Sequence, residues 1–326
     1  MARERHPDLD IGRGLLMLFL VFNHSYNMQF PAGNDWYIFL YHVSYWYQMQ
    51  FFFFITGITM ALSGLPKTLD DYAAFLKKRF WRLIPAYVVM ATIIFAGKMT
   101  VQSIGNVGEP LSGFSAYLTV FISPKTSPYA SFLWFIYVLF LFSAVAPPLL
   151  RLARGRAELL ILPALVLHFL PLPDFLALNL CGRYFIFLVL GIAVYDHYPA
   201  YLRIVDKYVW LLLLVFAGMC ALAVNVTMND FPVSVCAIPA LHGLCRTGPV
   251  VRSRLLALLG QYMYPIYLFN TIFINVARGL ILRFVSWDGH AFLLILPVLM
   301  TVGIWGPIWT QRNVIPRIPL LRKVFT

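Results

Sequence analysis

Residues 9–26 read LDIGRGLLMLFLVFNHSY: Arg13 and His24 bracket ten mostly apolar residues near the start of the chain. Wound as an α-helix, eleven residues at 100° each leave the two side chains only about 20° apart around the axis and about 16 Å apart along it. One face of the segment therefore carries a cation at its mouth and an imidazole further in, with Asn23 and Ser25 flanking the ring. Asp10, three residues before Arg13, is placed to pair with it. A stretch apolar enough for lipid that still carries titratable groups decides how the rest of the chain is read.

The chain has 326 residues, 61% hydrophobic and 12% charged, with mean hydropathy +0.77. A soluble domain is about half apolar and about a quarter charged, so this composition points to the bilayer. A spanning helix needs roughly 20 mainly apolar residues. Such windows fall near 14–32, 36–63, 83–102, 129–150, 159–177, 180–196, 208–226, 231–245, 255–277 and 291–310. The expected fold is all-α, a polytopic transmembrane helix bundle of about ten spans with both termini cytoplasmic. Threaded that way, 20 of the 25 Lys and Arg fall on the inner side, Arg3, Arg5 and Lys67 among them. Only Lys98, Lys125, Arg183, Arg278 and Arg283 remain outside. That asymmetry follows the positive-inside rule, so the net charge of +12 is a topology signal and not a nucleic-acid surface.

The remaining composition adds less. Cys181, Cys220, Cys236 and Cys245 have no C-x-x-C pairing and no metal-type spacing, and read as small buried hydrophobes. The first apolar run is too long for a signal peptide and lacks a small-residue cleavage site, so an uncleaved first span is expected. There is no internal repeat or soluble domain, and residues 1–326 read as one transmembrane domain. Between residues 63 and 82, Asp70, Asp71, Tyr72 and Phe75 beside Lys77, Lys78, Arg79 and Arg82 fit an amphipathic helix lying on the inner leaflet. Residues 101–128 form the longest outer linker.

Intramembrane ionisable residues are costly, which makes each one a site candidate. For Arg13 and His24 the plain alternative is an anchor and a hydrogen-bonded packing residue; their shared face favours a site. Arg79 and Arg82, at i and i+3, share a face and can clamp a phosphate through charge-assisted bonds, or simply anchor the inner end of a span. QMQFFFFITGITM (48–60) carries Thr56 and Gly57, where backbones can come close. His42, His168 and His242 lie in spans without a cationic partner equivalent to that of His24 and read as structural. Arg183 either meets a substrate or snorkels. No G-x-S-x-G, P-loop or H-E-x-x-H motif supports hydrolase or ATPase chemistry.

Taken in order, these stretches resemble the acyltransferase-3 family of integral membrane O-acyltransferases. LDIGRG followed by Asn23-His24 is similar to the family's first-span signature, an Arg with ten residues before a His. FFFFITG resembles its second-span FF-x-x-SG, with Thr56 where Ser is usual. KRFWRLIP, with Arg79, Arg82 and Pro85, resembles its R-x-x-R-x-x-P element. SFLWFIYVLFLFSAVAPPLL is similar to its LWF span, and GQYMYPIYLFN to its G-x-x-S-x-x-IYL-x-H stretch. The likeness runs from Leu9 to about Asn270. Asn270 stands where many relatives have His, and Tyr262 or Met263 near the usual Ser, so Asn270 is a positioning residue at most. Some relatives carry an extracytoplasmic esterase-like domain; none is expected here, and a separate glycan-assembly partner or a homo-oligomer is compatible with the chain.

The resemblance implies transfer of an acyl group, usually acetyl from acetyl-CoA, to a carbohydrate hydroxyl, without a metal, in a bacterial cytoplasmic membrane. Arg79, Arg82 and Arg13 would hold the phosphates of the acyl-CoA. His24, with Arg13 beside its path, would act as general base or as a covalent acyl relay. A low-dielectric pocket favours the neutral imidazole both roles need. Trp134, Arg183 and Asn270 are weaker candidates for the acceptor site. The rival class is a secondary transporter of an anionic or sugar-like solute, which would also place His and Arg inside a bundle but usually shows matched halves. A non-catalytic lipid- or glycan-binding membrane protein is the third reading.

Overall fold

A computed structural model describes every residue except 1–5, 27–28, 67, 105–109, 227–228 and 326. Arg3, Arg5 and Lys67, assigned above to the inner side, lie outside the described residues. The described residues form helices and the turns that join them, with no strand among them. Its first eight α-helices are α1 (Pro7–His24), α2 (Asp35–Tyr45), α3 (Gln48–Leu62), α4 (Leu69–Ile104), α5 (Phe114–Ile122), α6 (Trp134–Leu152), α7 (Ile161–Phe169) and α8 (Leu178–Asp196). They are followed by α9 (Tyr198–Asn225), α10 (Phe231–Arg246), α11 (Gly248–Val251), α12 (Arg254–Gln261), α13 (Met263–Ile281), α14 (Ala291–Asn313) and α15 (Pro319–Phe325).

Helix falls within each expected window, but the lengths differ in informative ways, and the window 14–32 is helical only as far as His24. The window 36–63 breaks into α2 and α3, and 255–277 into α12 and α13. The surface helix and third span expected on either side of Arg82 are one helix, α4, whose 36 residues run for roughly 54 Å. Pro85 lies inside it without ending it. Five helical segments, Leu69–Ser103, Ser131–Leu152, Phe175–Asp196, Tyr198–Asn225 and Ala291–Arg317, are long and apolar enough to cross a membrane. The first helix is less apolar because its opening turns carry Asp8, Asp10 and Arg13.

The chain divides into two compact units. The first comprises Met1–Ile58 and Val194–Val314, the second Thr59–Ala193 and Ile315–Thr326. In the first unit α1 is the central element. It starts at Pro7, whose fixed φ suits a first helical position, with acidic Asp8 and Asp10 in the first turn. It packs on α2, α10, α12, α13 and α14, burying Leu16, Met17 and Val21 completely. Two glycines set how closely α12 approaches. A Cβ on Gly14 would lie 1.9 Å from the Leu256 carbonyl oxygen, and one on Gly260 2.0 Å from that of Asp10. The two backbones touch because neither glycine has a side chain. The phenylalanine run of α3 faces protein: Phe51, Phe52, Phe53 and Phe54 are all buried.

In the second unit α4 packs on α5, α6 and α15. Its far end is tied down where Lys98 Nζ donates to the Pro128 carbonyl at 2.6 Å.

Candidate functional site

α1 ends at His24, with Ser25 as its C-cap, so the imidazole stands at the helix's C-terminal end and not midway along a longer span. The ring is half-buried. Its Nδ1 lies 2.6 Å from Asn270 Oδ1, supplied by α13. The Asn270 side chain is fully buried, and its amide nitrogen donates to the Ile266 and Tyr267 carbonyls at 2.6 and 2.9 Å. Those two bonds settle the amide's orientation: nitrogen toward its own helix, oxygen toward the ring. An amide oxygen can only accept, so Nδ1 carries a hydrogen, and in the neutral ring the lone pair then lies on Nε2. The structure thus assembles a histidine of defined tautomer from two segments 246 residues apart.

The neighbours of His24 are structural. Asn23 is buried; its amide nitrogen donates to Gln48 Oε1 at 2.7 Å and its oxygen accepts from Ser44 Oγ at 2.9 Å. Ser25 Oγ donates to the Val21 carbonyl of its own helix. Just beyond, Arg278 Nη1 donates to the Tyr26 carbonyl at 2.7 Å and its Nη2 to Asn275 Oδ1 at 2.6 Å, a cation where the helix end is electronegative.

Arg13 shares α1 with His24, three turns back, and pairs with Asp10 at 2.8 Å, as the spacing requires. Arg79 and Arg82 sit near the start of α4 in the second unit. The Arg79 guanidinium lies 5.1 Å from the centre of the Phe75 ring, and Arg82 is exposed. Trp134 and Arg183 are brought together, also in the second unit, through Tyr184. The indole and phenol stack at 5.2 Å, and the Arg183 guanidinium lies 5.9 Å from the Tyr184 ring. Trp134 is buried, with the Lys125 ammonium 5.6 Å from its ring centre, so its faces are engaged by protein. Among the other histidines, His168 Nδ1 hydrogen-bonds the Arg183 carbonyl at 2.6 Å, and His42 is exposed beside Phe30 and Tyr41.

One polar cluster escaped the sequence reading. Asp8 and His242 are almost completely buried. Asp8 Oδ2 lies 3.1 Å from His242 Nε2 and accepts from Arg246 Nη1 at 3.0 Å and from the Tyr198 hydroxyl at 3.3 Å. The Tyr201 hydroxyl reaches His242 Nδ1 at 3.1 Å, and Arg246 holds Asp206 with two bonds of 2.6 and 2.7 Å. Burial works to raise the Asp8 pKa, but His242 and then Arg246 overcome it and hold the carboxyl well below the usual carboxylate range. Both nitrogens of His242 are engaged, so this group joins α1, α9 and α10 and is not a second reactive imidazole. No local pattern signals it as a whole, since Asp8 lies 190 or more residues from each of its partners. No group of three His, Cys, Asp or Glu able to hold a metal occurs among the described residues.

A helical membrane protein whose ordered histidine faces a buried amide is the class these features define. The chain matches the model of the acyltransferase-3 family, described as an acyltransferase domain, over residues 6–312, and it belongs to that family. It is therefore an acyltransferase, and its apolar helices make it an integral membrane protein. No curated protein and no solved structure matches it significantly.

Proposed function

We propose that the protein moves an acyl group, in the simplest case acetyl, from a cytoplasmic acyl-CoA to a hydroxyl of a cell-surface or lipid-linked carbohydrate. The observation that carries this reading is the His24–Asn270 pair in a member of an acyltransferase family. His24 Nε2 takes the proton of the acceptor hydroxyl while that oxygen bonds to the thioester carbonyl carbon. The carbon–sulfur bond then breaks, and the imidazolium returns the proton to the departing thiolate, leaving an ester and the free thiol of CoA. Two features favour the imidazolium that forms in between: the Asn270 oxygen on Nδ1–H, and the electronegative end of α1. In this reading Arg79 and Arg82 take the phosphates of the donor by charge-assisted bonds. It also has ten spans and cytoplasmic termini, supported by the distribution of Lys and Arg, and a bacterial inner membrane, supported by the family likeness.

The test is transfer of label from acetyl-CoA to a panel of glycans by purified protein, with ester formation read by mass spectrometry. His24→Ala is expected to lower the rate by about 10²–10⁴-fold while the melting temperature stays within a few degrees of wild type. Undiminished transfer by that variant overturns the assignment of His24, and altered solute transport without any ester product supports the transporter instead.

A further inference from the structure

Among the described residues the first unit holds three half-buried arginines, Arg13, Arg246 and Arg278. Two of them are met by carboxylates: Asp10 lies 2.8 Å from Arg13, and Asp8 and Asp206 hold Arg246 at 3.0 and 2.6 Å. Arg278 has neutral partners only. Its Nη1 donates to the Tyr26 carbonyl at 2.7 Å and its Nη2 to Asn275 Oδ1 at 2.6 Å. A guanidinium has five N–H donors, so most of those on Arg278 find no acceptor among the described residues. The electronegative end of α1 offsets part of the charge, but a helix terminus is equivalent to only about half an elementary charge. A partly desolvated cation without a counter-charge is costly to keep, and an anion from outside the fold would complete its shell.

This cation stands at the end of α1 that carries the imidazole. Tyr26 lies two residues after His24, so their Cα atoms are at most about 8 Å apart. Along α13, Arg278 follows Asn270, the partner of His24, by eight residues, about 12 Å. Asn275 adds a donor of its own. Arginine can only donate, so the Asn275 amide turns its oxygen to Arg278 and its nitrogen away. That side chain is exposed, and its nitrogen bonds nothing among the described residues. Capping α1 uses one N–H of this group; the rest form a cluster of donors, charged and neutral, which fits the oxygens of an acid.

We propose that Arg278, with Asn275 beside it, recognises an acid group, a carboxylate or a phosphate, on the acceptor whose hydroxyl reaches His24. This rests on the acyl-transfer reading, in which Arg79 and Arg82 hold the donor's phosphates and Arg278 is one of the few cations on the outer side. Held by its acid end, the acceptor has fewer ways to present a hydroxyl to Nε2, so the arginine selects an acidic acceptor over a neutral one of similar shape.

The experiment uses the full chain in nanodiscs of zwitterionic lipid and measures binding of matched disaccharides ending in glucose, glucuronate or glucose 6-phosphate. At least one acidic sugar is expected to bind about tenfold more tightly than the neutral one, the loss typical of one charge-assisted contact, and which one identifies the acid. The difference is expected to shrink as salt rises. Arg278→Gln is expected to remove it and Arg278→Lys to keep part of it. Asn275→Asp keeps the oxygen that Arg278 bonds and sets a carboxylate against the guanidinium. It is expected to remove the preference without lowering the melting temperature, which separates lost recognition from lost folding. Equal binding of the sugars, binding of none, or a preference that survives Arg278→Gln overturns the proposal. So does a preference untouched by Asn275→Asp, which would leave Arg278 a helix cap. Displacement of the acidic sugar by nanodiscs containing phosphatidylglycerol, or by CoA, also overturns it and assigns the arginine to a lipid headgroup or to the donor. Transfer by His24 is not read in this measurement, so the acid preference can fail while acyl transfer stands, and the reverse.

Discussion

In the role proposed for His24 the chemistry would depend on which ring nitrogen carries the hydrogen, and a residue without charge decides it. Asn270 presents an acceptor to Nδ1 because its own amide nitrogen is held by Ile266 and Tyr267. Asn270→Ala removes that acceptor and frees the ring to change tautomer or rotate. The expected result is a fall in kcat of roughly 10–100-fold, the range typical when the partner orienting a reactive histidine is lost, with KM for the acyl-CoA nearly unchanged. Steady-state kinetics measure it, and an unchanged kcat would show that the amide only packs. Asn270→His is expected to recover part of the rate, since a neutral imidazole can also accept from Nδ1–H. The first-span pattern made His24 and Arg13 visible in the sequence; the tautomer was not, because its determinant lies 246 residues away.

Among the elements, α1 and α12 show how glycine fixes a helix contact, and α12 leads directly into the helix that carries Asn270. Gly260→Ala drives a methyl group against the Asp10 carbonyl, 2.0 Å away on unyielding backbone. The two helices must separate, with an expected cost of about 1–3 kcal/mol and a lower melting temperature, accompanied by lost transfer as α13 shifts. The same change at Gly97 in α4, where nothing stands within 4 Å of the new atom, is expected to be neutral or slightly stabilising. Thermal melting of the two variants side by side separates a packing requirement from a general intolerance of alanine. α4 carries the third test. Arg79→Ala with Arg82→Ala is expected to raise KM for the acyl-CoA by roughly tenfold or more, the loss of at least one charge-assisted contact, with little effect on kcat. An unchanged KM would mark the pair as an inner-surface anchor. Sequence reasoning located this helix and its basic face but divided it at Arg82, because the amphipathic opening and the apolar remainder look like separate elements until packing on α5, α6 and α15 carries one helix through both.

For the molecule as a whole, the buried charge group makes stability depend on pH. Asp8 is held well below the usual carboxylate range, so its contribution is fully present above the unfolded value, about pH 4, and is lost as pH falls through the depressed native one. Wild-type protein is therefore expected to lose melting temperature on acidification below about pH 4. Asp8→Asn leaves Arg246 with Asp206 but uncouples it from α1, and is expected to cost about 3–5 kcal/mol at neutral pH, as for breaking a buried pair. Its melting temperature is expected to vary less with acid than that of the wild type. Parallel pH profiles for the two proteins decide the matter; equal slopes would mean that other carboxylates govern acid lability.

Composition and periodicity alone determined that the chain is helical and enters a membrane, and the positive-inside bias proposed its orientation. Ordered motifs indicated an acyltransferase, and the 6–312 family match agrees. These are local quantities: apolar content, spacing along one helix and charge near its ends are fixed by neighbours in sequence. Which nitrogen of His24 carries its hydrogen and what partners Asp8 were decided only by tertiary structure. Each depends on side chains that contact across folded segments, and a hydrogen bond or ion pair acts over a few ångströms of space whatever the separation along the chain.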